Sequence, residues 1–475
     1  MSRIIRHFWT LYFTLLGLSA LALLPPLLRR GLAYVEIDSD EGWNVVRALR
    51  AAAHVKLYAR PPGLDFTNYP PLSFHLIGAL SALGLDPLFT GRALALLALL
   101  GLGALAGVAV AWLCGQAWQA ACAGLGFILF LALFMPVRVA VDDPQLLGML
   151  AEMAGFVLFL RRGPLWLVAC LFVLALFTKH SLLALPIGVG VSLLWQRRWA
   201  ELGLLLAAGA ALADALLWLS FRFDGPYFFA HLLAPRAFSW RDMASQTGSF
   251  LVRFWPLLAL AIGWGWQGRR QPARQACLLA LIAALILGIV FSGGDGVGLN
   301  VFFEALWLCT LMAVLAGTAQ GGWRRFALLW PLLFLPMASL EAWRELETLP
   351  QARAEFAAAR DALQAIKGPV VCENLLLCTA AGHQSSFSPY FVASRIRDGK
   401  LSAAQIDTLL SSHSLAAVQI GATDRPIHRP QFTPDFLDTL HQDYRPLQQG
   451  RTLSLWVPRQ PCSLPPGLPG PNPAW

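Results

Sequence analysis

The stretch YVEIDSDEGWNVVRALRAAAHVKLYARPPGLDFTNYPP, residues 34–71, is a polar, acid-rich segment that directly follows the first hydrophobic run of the chain. Four residues within six positions are acidic, namely Glu36, Asp38, Asp40 and Glu41, and the stretch ends in an aromatic–proline turn. Most of the remaining chain consists of apolar runs that suit hydrocarbon. Because ionisable groups are costly to keep beside a bilayer, a segment of this kind indicates where chemistry takes place.

The composition predicts a polytopic α-helical membrane protein. Of 475 residues, 57% are hydrophobic and 13% are charged, with a mean hydropathy of +0.58, whereas a soluble domain has about 25% charged residues. The formal charge is +9, but much of it lies in arginine pairs between apolar runs, which is typical of orientation signals. Basic patches interleaved with aromatic residues are not evident, so we expect no nucleic-acid partner.

The apolar runs predict about eleven transmembrane helices, at 8–28, 89–113, 117–135, 144–160, 164–178, 181–195, 200–221, 249–266, 275–292, 299–318 and 326–341. A further apolar segment, 72–85, has only 14 residues, which is short of the roughly 17 that a span needs. We therefore expect it to form an interfacial helix in the first outer loop.

Arginine clusters between the spans predict the orientation of the chain. Four clusters stand in connecting segments, at 161–162, 197–198, 269–270 and 324–325, and cytoplasmic loops collect such residues. With a cytoplasmic N-terminus and eleven spans, all four lie inside. The outer face then holds 30–88, 136–143, 179–180, 222–248, 293–298 and the chain after about 342.

The sequence predicts two domains and a tail. Residues 1–345 form the transmembrane domain, and residues 346–460 form a small extracytoplasmic α/β domain. Helical composition at 351–366, short strands in GPVVCEN, SLAAVQIG and TLSLWVP, and a helix start at Thr433 support this division. Residues 461–475 form a Pro-rich tail. A Cys372–Cys378 disulfide fits a domain outside the cytoplasm, but spacing alone does not establish its geometry, and free thiols remain the alternative.

Two acidic pairs on the predicted outer face are candidates for catalysis. Asp40 and Glu41 either cap the amphipathic helix that follows them or supply a general base at the membrane surface. Asp142 and Asp143 precede Pro144 in PVRVAVDDPQLLGML, where a single Asp suffices as a helix cap. A second acid beside Arg138 is more than capping requires, so this pair is the second candidate.

Basic and polar residues on the same face are candidates for binding. Lys179 and His180 interrupt a long apolar stretch, either as an interfacial snorkelling pair or as an anion site for a lipid phosphate. Asn300 and Glu304 are four residues apart and share a helix face, either for a structural hydrogen bond or for substrate. Arg236 lies in a loop of mixed cations and aromatic residues that suits a phosphate, a sugar face or an interfacial belt.

Five short motifs together resemble the GT-C superfamily of membrane glycosyltransferases, in particular bacterial relatives of the protein O-mannosyltransferases and the lipid A aminoarabinose transferase. They are DEGW (40–43), NYPPLSFHL (68–76), RVAVDDPQLL (138–147), TKHSLLALP (178–186) and LNVFFE (299–304). The tail also resembles the small outer domain of some members through VVCENLLLCTAAGH and QFTPDFLDTLHQDYRP. The resemblance implies a multi-pass protein of the bacterial inner membrane with a periplasmic C-terminal domain.

The resemblance also implies a donor sugar carried on a polyprenyl phosphate and a lipid, glycan or protein acceptor. Asp40 matches the catalytic acid of the first outer loop, with Glu41 beside it, and either Asp143 or Asp142 matches the second acidic motif. Lys179 lies where the family has a cation for the donor phosphate, and the chemistry calls for Arg138 or Arg236 beside it. The candidate substrate-binding residues are Tyr69, Asp142, His180, Asn300 and Glu304.

The resemblance leaves the cofactor open, because some members of the superfamily use a divalent metal and others do not. Asp40, Asp142 and Asp143 could hold Mg²⁺ or Mn²⁺. Two other functions fit a membrane protein of this composition. A lipid or sugar transporter would show paired broken helices and repeats, neither of which is evident. An inactive scaffold for envelope glycan assembly would tolerate loss of Asp40.

Overall fold

A helical membrane bundle carries a small four-stranded sheet at its C-terminal end. The computed structural model describes residues 3–60, 64, 66–320, 322–411, 414–421 and 431–460. The α-helices before the sheet are α1 (Arg3–Gly31), α2 (Ser39–Ala52), α3 (Leu72–Ala82), α4 (Pro87–Cys114), α5 (Ala117–Phe134), α6 (Pro144–Leu160), α7 (Leu165–Thr178), α8 (Ala184–Trp195), α9 (Trp199–Phe223), α10 (Phe228–Leu232), α11 (Trp240–Gln267), α12 (Pro272–Phe291), α13 (Phe303–Gln320) and α14 (Leu335–Gln364). Three 3-10 segments stand between them, at Pro136–Arg138, Leu299–Phe302 and Gly322–Phe334.

The C-terminal elements alternate between strands and short helices. In chain order they are β1 (Val370–Cys372), α15 (Leu375–Ala380), α16 (Pro389–Arg397), α17 (Ala403–Ser411), β2 (Ala417–Gly421), α18 (Pro434–Asp443), β3 (Tyr444–Gln449) and β4 (Leu453–Pro458). The sheet has the order β1-β2-β4-β3, with β1 parallel to β2 and the other pairs antiparallel. Thr433 caps α18 by accepting the Phe436 N–H, as the helix-start signature predicts.

Every predicted span overlaps a helix, although 326–341 begins in the 3-10 segment Gly322–Phe334 and only ends in α14. Eight helical segments among the described residues are long and apolar enough to cross a membrane. The other three predicted spans are the shorter apolar helices α6, α7 and α8, of 17, 14 and 12 residues. The polytopic helical class is therefore confirmed. Helix α3 has 11 residues and, as predicted from its length, is too short to span a bilayer.

Helix α13 forms the centre of the bundle. Of the most apolar part of Leu299–Ala319, 89% is buried, whereas only 6% of the corresponding part of α9 is buried. A helix that is apolar on all sides packs in the interior, and α13 accordingly packs against α4, α5, α11 and α12. The indole of Trp307 donates a hydrogen bond to the Leu102 carbonyl at 3.0 Å, which fixes α13 against α4.

Aspartate caps hold the polar loops at one end of this bundle. Asp38 caps α2 by accepting the Asp40 N–H, and Asp143 caps α6 by accepting the Gln145 N–H at 2.8 Å. Pro144 stands at the first position of α6, where its missing N–H costs nothing. These caps place the two acidic pairs where helices begin, so that their side chains face the loops rather than hydrocarbon.

Helix α14 joins the bundle to the sheet. It runs unbroken across the boundary predicted at 345–346, and its C-terminal part packs Phe356, Ala359 and Leu363 beneath the strands. Cys372 and Cys378 form a disulfide between β1 and α15. Helix α15 lies against α2, where a Cβ on Gly42 would come within 2.4 Å of the Leu376 nitrogen, so Gly42 permits this close approach.

Candidate active site

An ionic cluster joins the two acidic motifs around Arg138. The Arg138 Nη1 atom lies 2.9 Å from Asp40 Oδ2 and 2.9 Å from Asp143 Oδ2, and its Nη2 atom lies 3.7 Å from Asp38 Oδ2. Lys179 Nζ binds the other oxygen of Asp143 at 3.2 Å. The start of α2, the 3-10 turn before α6, the start of α6 and the end of α7 therefore supply one continuous network.

Asp40 is the most accessible carboxylate of this network. Its side chain lies in a recess but keeps 38% of its surface exposed, against 4% for Asp143. Burial and then the charge of Asp38 raise the pKa of Asp40, while Arg138 opposes the shift. A carboxylate that is accessible and has a raised pKa is suited to accept a proton near neutral pH.

Asp143 has the opposite electrostatic environment. Burial opposes its ionisation, but Lys179 and Arg138 outweigh that effect and lower the pKa of Asp143. Asp143 therefore stays ionised and holds the two cations in place. Of the pair Asp142 and Asp143, it is Asp143 that contacts Arg138 and Lys179.

Asp142 turns its side chain away from the cluster. A Cβ on Gly91 would lie 2.2 Å from Asp142 Cγ, so the carboxyl group packs directly over α4. Burial and then the charge of Glu41 raise the pKa of Asp142 well above its usual range, which favours the neutral acid. Asp142 instead holds the loop before α6 against α2 through its backbone, because its carbonyl oxygen accepts a hydrogen bond from Asn44 Nδ2 at 2.7 Å.

Glu41 is completely buried and is paired with Arg92 of α4. Arg92 Nε and Nη2 each donate to one Glu41 oxygen at 2.7 Å, and the guanidinium also donates to the carbonyls of Gly31, Ala33 and Val35. Glu41 further accepts the N–H groups of Ile37 and Asp142, at 2.8 and 3.0 Å. With no exposed surface, Glu41 ties the two acidic loops together instead of facing a substrate.

Lys179 connects the acidic network to an aromatic wall. Its ammonium lies 4.8 Å from the centre of the Tyr69 ring, and the Asn300 side-chain oxygen accepts from it at 3.2 Å when the amide is oriented towards it. His180 is adjacent, and burial together with the charges of Arg236 and Lys179 lowers its pKa to about 4. The imidazole is therefore neutral near neutral pH.

Glu304 lies away from this network, inside the bundle. Its Oε1 atom accepts the Ala184 N–H and Glu152 Oε1 accepts the Leu185 N–H, both at 3.2 Å. The two buried glutamates thus cap the N-terminus of α8 together. Although Asn300 and Glu304 are four residues apart, the 3-10 turn at Leu299–Phe302 separates their environments.

The C-terminal domain covers the recess above Asp40. A cavity of about 60 Å³ is lined by Asp40, Tyr69 and Arg236 from the membrane domain and by Leu375, Tyr390 and Phe391 from above. Trp43 completes the wall, with its ring 5.3 Å from Tyr69 and 6.0 Å from Phe391. The arrangement offers a carboxylate, an exposed guanidinium and flat apolar faces in one place.

Asp295 fastens this cover to the bundle. Its Oδ2 atom receives Arg397 Nη2 at 3.1 Å, Ser394 Oγ at 3.3 Å and Tyr390 Oη at 3.4 Å, all from α16. Arg236 Nη1 donates to the Asp295 carbonyl at 3.3 Å. Asp295 therefore positions both α16 and the exposed cation of the cavity.

Two residues that were not sequence candidates, Arg92 and Asp295, hold the site together, and a third, Glu152, caps α8 beside Glu304. Each pairs with residues far along the chain, with separations of 51 residues for Arg92 and Glu41 and 33 for Glu152 and Leu185. An isolated charge inside an apolar run was the available signal for Arg92 and Glu152. Within the described residues, no three His, Cys, Asp or Glu side chains form a group that could hold a metal ion.

The bundle, the helices α2 and α3 and the C-terminal cover together have the same fold as two solved structures of one membrane protein. No protein-family model and no curated protein matches the sequence. The fold is seen in ArnT from Cupriavidus metallidurans, the lipid A aminoarabinose transferase, in the crystal structure bound to undecaprenyl phosphate. That structure superposes with a TM-score of 0.60 at 15% identity, over 94% of this chain and 98% of ArnT. The apo structure of the same ArnT gives 0.59 at 14%, over 95% and 98%.

Proposed function

We propose that the protein is an integral-membrane glycosyltransferase that moves a sugar from a polyprenyl-phosphate donor to an acceptor hydroxyl at the outer face. The observation that carries the proposal is the open Asp40 carboxylate, held 2.9 Å from Arg138 at a cavity that Arg236 also lines. The GT-C fold supports it, because a solved protein with this fold binds undecaprenyl phosphate.

Asp40 acts as the general base in this reaction. It takes the proton from the acceptor hydroxyl as the acceptor oxygen forms its bond to the anomeric carbon. The bond between that carbon and the donor phosphate oxygen breaks at the same time, and its electron pair leaves with the polyprenyl phosphate. One direct displacement inverts the anomeric configuration, and the phosphate needs no general acid to depart.

The cations stabilise the charge that develops on the departing phosphate. Arg236 is exposed and lines the cavity, so it meets the phosphate first. Lys179 and Arg138 are buried against Asp143 and supply positive potential from behind, in a setting where water screens them little. Tyr69 and Trp43 offer ring faces against which a sugar packs.

Divalent metal is not needed in this mechanism. The Arg138 guanidinium already lies 2.9 Å from Asp40 and from Asp143, the carboxylates that would hold Mg²⁺ or Mn²⁺ if such an ion supplied the positive charge for the phosphate. We expect turnover to survive a chelator and to change by less than twofold on adding either ion. Loss of turnover with a chelator, restored by Mg²⁺ or Mn²⁺, would contradict this assignment.

The site lies on the periplasmic side in this proposal, with the N-terminus in the cytoplasm of a bacterial inner-membrane protein. The arginine pairs between the spans and the Cys372–Cys378 disulfide support this orientation, because structural disulfides persist in oxidising compartments. An alkaline phosphatase fused to the C-terminus should be active in cells. An inactive fusion that is present at normal levels contradicts the orientation.

The function is tested with purified protein in detergent and a panel of hexosyl and pentosyl polyprenyl phosphates, with cell-envelope lipids, glycans and proteins as acceptors. The expected result is release of polyprenyl phosphate that depends on one donor class and rises with acceptor. Tight donor binding without release from any combination favours a flippase. Neither binding nor release, with the cover domain folded, favours a scaffold.

A further inference from the structure

A groove opens on the outer side of the bundle, between the end of α1 and the middle of α14. It has a volume of about 890 Å³, compared with about 60 Å³ for the cavity beside Asp40. Its lining includes Arg29 and Leu32 from the end of α1 and Trp343, Glu347 and Arg353 from α14. Positions 343, 346, 347, 350, 353 and 354 recur at helical spacing, so they share one face of α14.

The two arginines at the end of α1 have different roles. Arg30 is buried, pairs with Glu345 and donates to the Pro136 carbonyl at 3.0 Å. Arg29 points into the groove and is exposed, and Arg353 faces it from α14. Within the part of the chain that the structure describes, neither Arg29 nor Arg353 has an ion-pair partner. The groove thus presents two cations against a single acid, Glu347, among its described lining residues.

The groove begins at Arg29, just beyond the end of the predicted span 8–28, where a helix leaves the hydrocarbon. The Trp343 indole donates to the Ala22 carbonyl of α1 at 3.2 Å, and tryptophan is enriched at that depth. Leu32 and Leu28 are exposed beside the arginines, and Leu340 and Met337 are exposed below Trp343. An apolar surface therefore continues from the cations towards the hydrocarbon. Arginine at the outer end of a span also runs against the usual orientation bias, so Arg29 needs another explanation.

We propose that this groove binds the phosphate headgroup of an anionic membrane lipid, with Arg29 and Arg353 on the phosphate and an acyl chain along the apolar surface of α1 and α14. Charge complementarity and the continuous apolar floor favour a lipid over a free phosphate ion. The site is separate from the cavity at Asp40, and the proposal does not depend on the glycosyltransferase assignment. Because α14 continues beneath the sheet, a bound lipid would steady the domain that covers Asp40.

The test is native mass spectrometry of the delipidated protein titrated with phosphatidylglycerol and with phosphatidylcholine of the same chains. The wild type should retain phosphatidylglycerol preferentially. The variants R29Q and R353Q should each weaken that retention roughly fivefold, since a basic residue near an anionic surface contributes about 1 kcal/mol. The variant E347Q should strengthen it.

Arg344→Gln is the matched control, because Arg344 is an exposed arginine of α14 that does not line the groove. The proposal is overturned if Arg344→Gln weakens retention as much as R29Q and R353Q do, or if none of the three does. A further titration adds soluble glycerol phosphate as a competitor of the lipid. Competition by it at the concentration at which the lipid binds would assign the groove to a free phosphate. If R29Q fails to fold, R353Q and E347Q still give opposite expected shifts.

Discussion

Asp40 and Asp143 bind the same guanidinium, but their pKa values are shifted in opposite directions. Asp143 faces Lys179 as well as Arg138, and its pKa is lowered, whereas the neighbouring Asp38 and burial raise the pKa of Asp40. Two carboxylates with pKa values pushed in opposite directions are typical of a site in which one accepts a proton and the other holds charge. The open carboxylate is the one with the raised pKa, as a base requires.

Neighbouring charges should therefore move the pH dependence of turnover in opposite directions. A base works when deprotonated, so activity falls as pH drops through its pKa. Asp38→Asn keeps the helix cap but removes a charge that raises the Asp40 pKa, and the acidic limb should move to lower pH. Arg138→Gln removes a charge that lowers it, and the limb should move to higher pH.

The measurement is kcat/KM for sugar transfer as a function of pH in the acidic range. The midpoint of the fall in activity is determined separately from the plateau value. Arg138→Gln should also slow turnover, because it removes a cation that the proposed mechanism assigns to the donor phosphate. Limbs that shift in the same direction in both variants would show that another group titrates.

The residues of this cluster were accessible to sequence reasoning for a physical reason. Asp40, Arg138, Asp143 and Lys179 all lie near helix ends, and span parity places those ends on one face. The roles were harder to predict. Glu41 is adjacent to Asp40 and has the same chemistry, and only its pairing with Arg92 on another helix distinguishes a tether from a candidate catalyst.

At the scale of elements, the Glu41–Arg92 pair joins α2, α4 and the loop before α6. Removing one partner of a buried ion pair leaves the other uncompensated. Glu41→Gln should therefore lower the free energy of unfolding by about 3 kcal/mol or more. Asp361→Asn, which breaks an exposed pair with Arg360 on α14, should change it by less than about 1 kcal/mol.

Denaturant unfolding in detergent micelles, followed by tryptophan fluorescence, measures both values. Combining Glu41→Gln with Arg92→Met should cost less than the sum of the two single changes, because the double variant has no unmatched buried charge. Equal stability of Glu41→Gln and the wild type would contradict the tether.

The ends of helices and strands are predictable from the sequence where the polarity of the chain changes sharply, and they are not predictable where the polarity changes gradually. The sequence reading separated a span at 326–341 from a helix at 351–366, but α14 is continuous through the polar segment between them. Strand β3 was missed because it is an edge strand with most residues exposed and with Pro446 inside it. Such a strand has no apolar alternation, and proline is tolerated at an edge.

At the scale of the whole molecule, the C-terminal domain and the bundle enclose the candidate site between them. The Cys372–Cys378 disulfide holds α15, which packs on α2 next to Asp40. Replacing both cysteines by serine should destabilise the C-terminal domain by roughly 2–4 kcal/mol. Its digestion under pulse proteolysis should accelerate accordingly.

Cys114→Ser is the control for that change, since Cys114 is a free, half-buried thiol at the end of α4. The control should digest at the wild-type rate. A double-serine variant as resistant as the wild type would show that packing against α2, and not the disulfide, holds the cover in place.

The class of polytopic helical membrane protein is predictable from the sequence, because hydropathy and arginine placement leave a signal along the whole chain. The position of the C-terminal domain over Asp40 is not predictable in this way. Tyr390 and Phe391 lie about 350 residues from Asp40 along the chain, and their approach depends on Asp295 and on Gly42. Neither contact leaves a periodic or compositional signal. The cavity emerges only when the two domains are placed together.

The measurement that tests the central claim most directly is donor-dependent release of polyprenyl phosphate by the wild type and by Asp40→Asn. Asp361→Asn is the matched carboxylate control, and unfolding curves establish that all three proteins are folded. We expect release by the wild type and the control, and a loss of at least roughly a hundredfold in Asp40→Asn, as removal of a general base implies. Equal release by folded Asp40→Asn would contradict the assignment of Asp40 as the catalytic base.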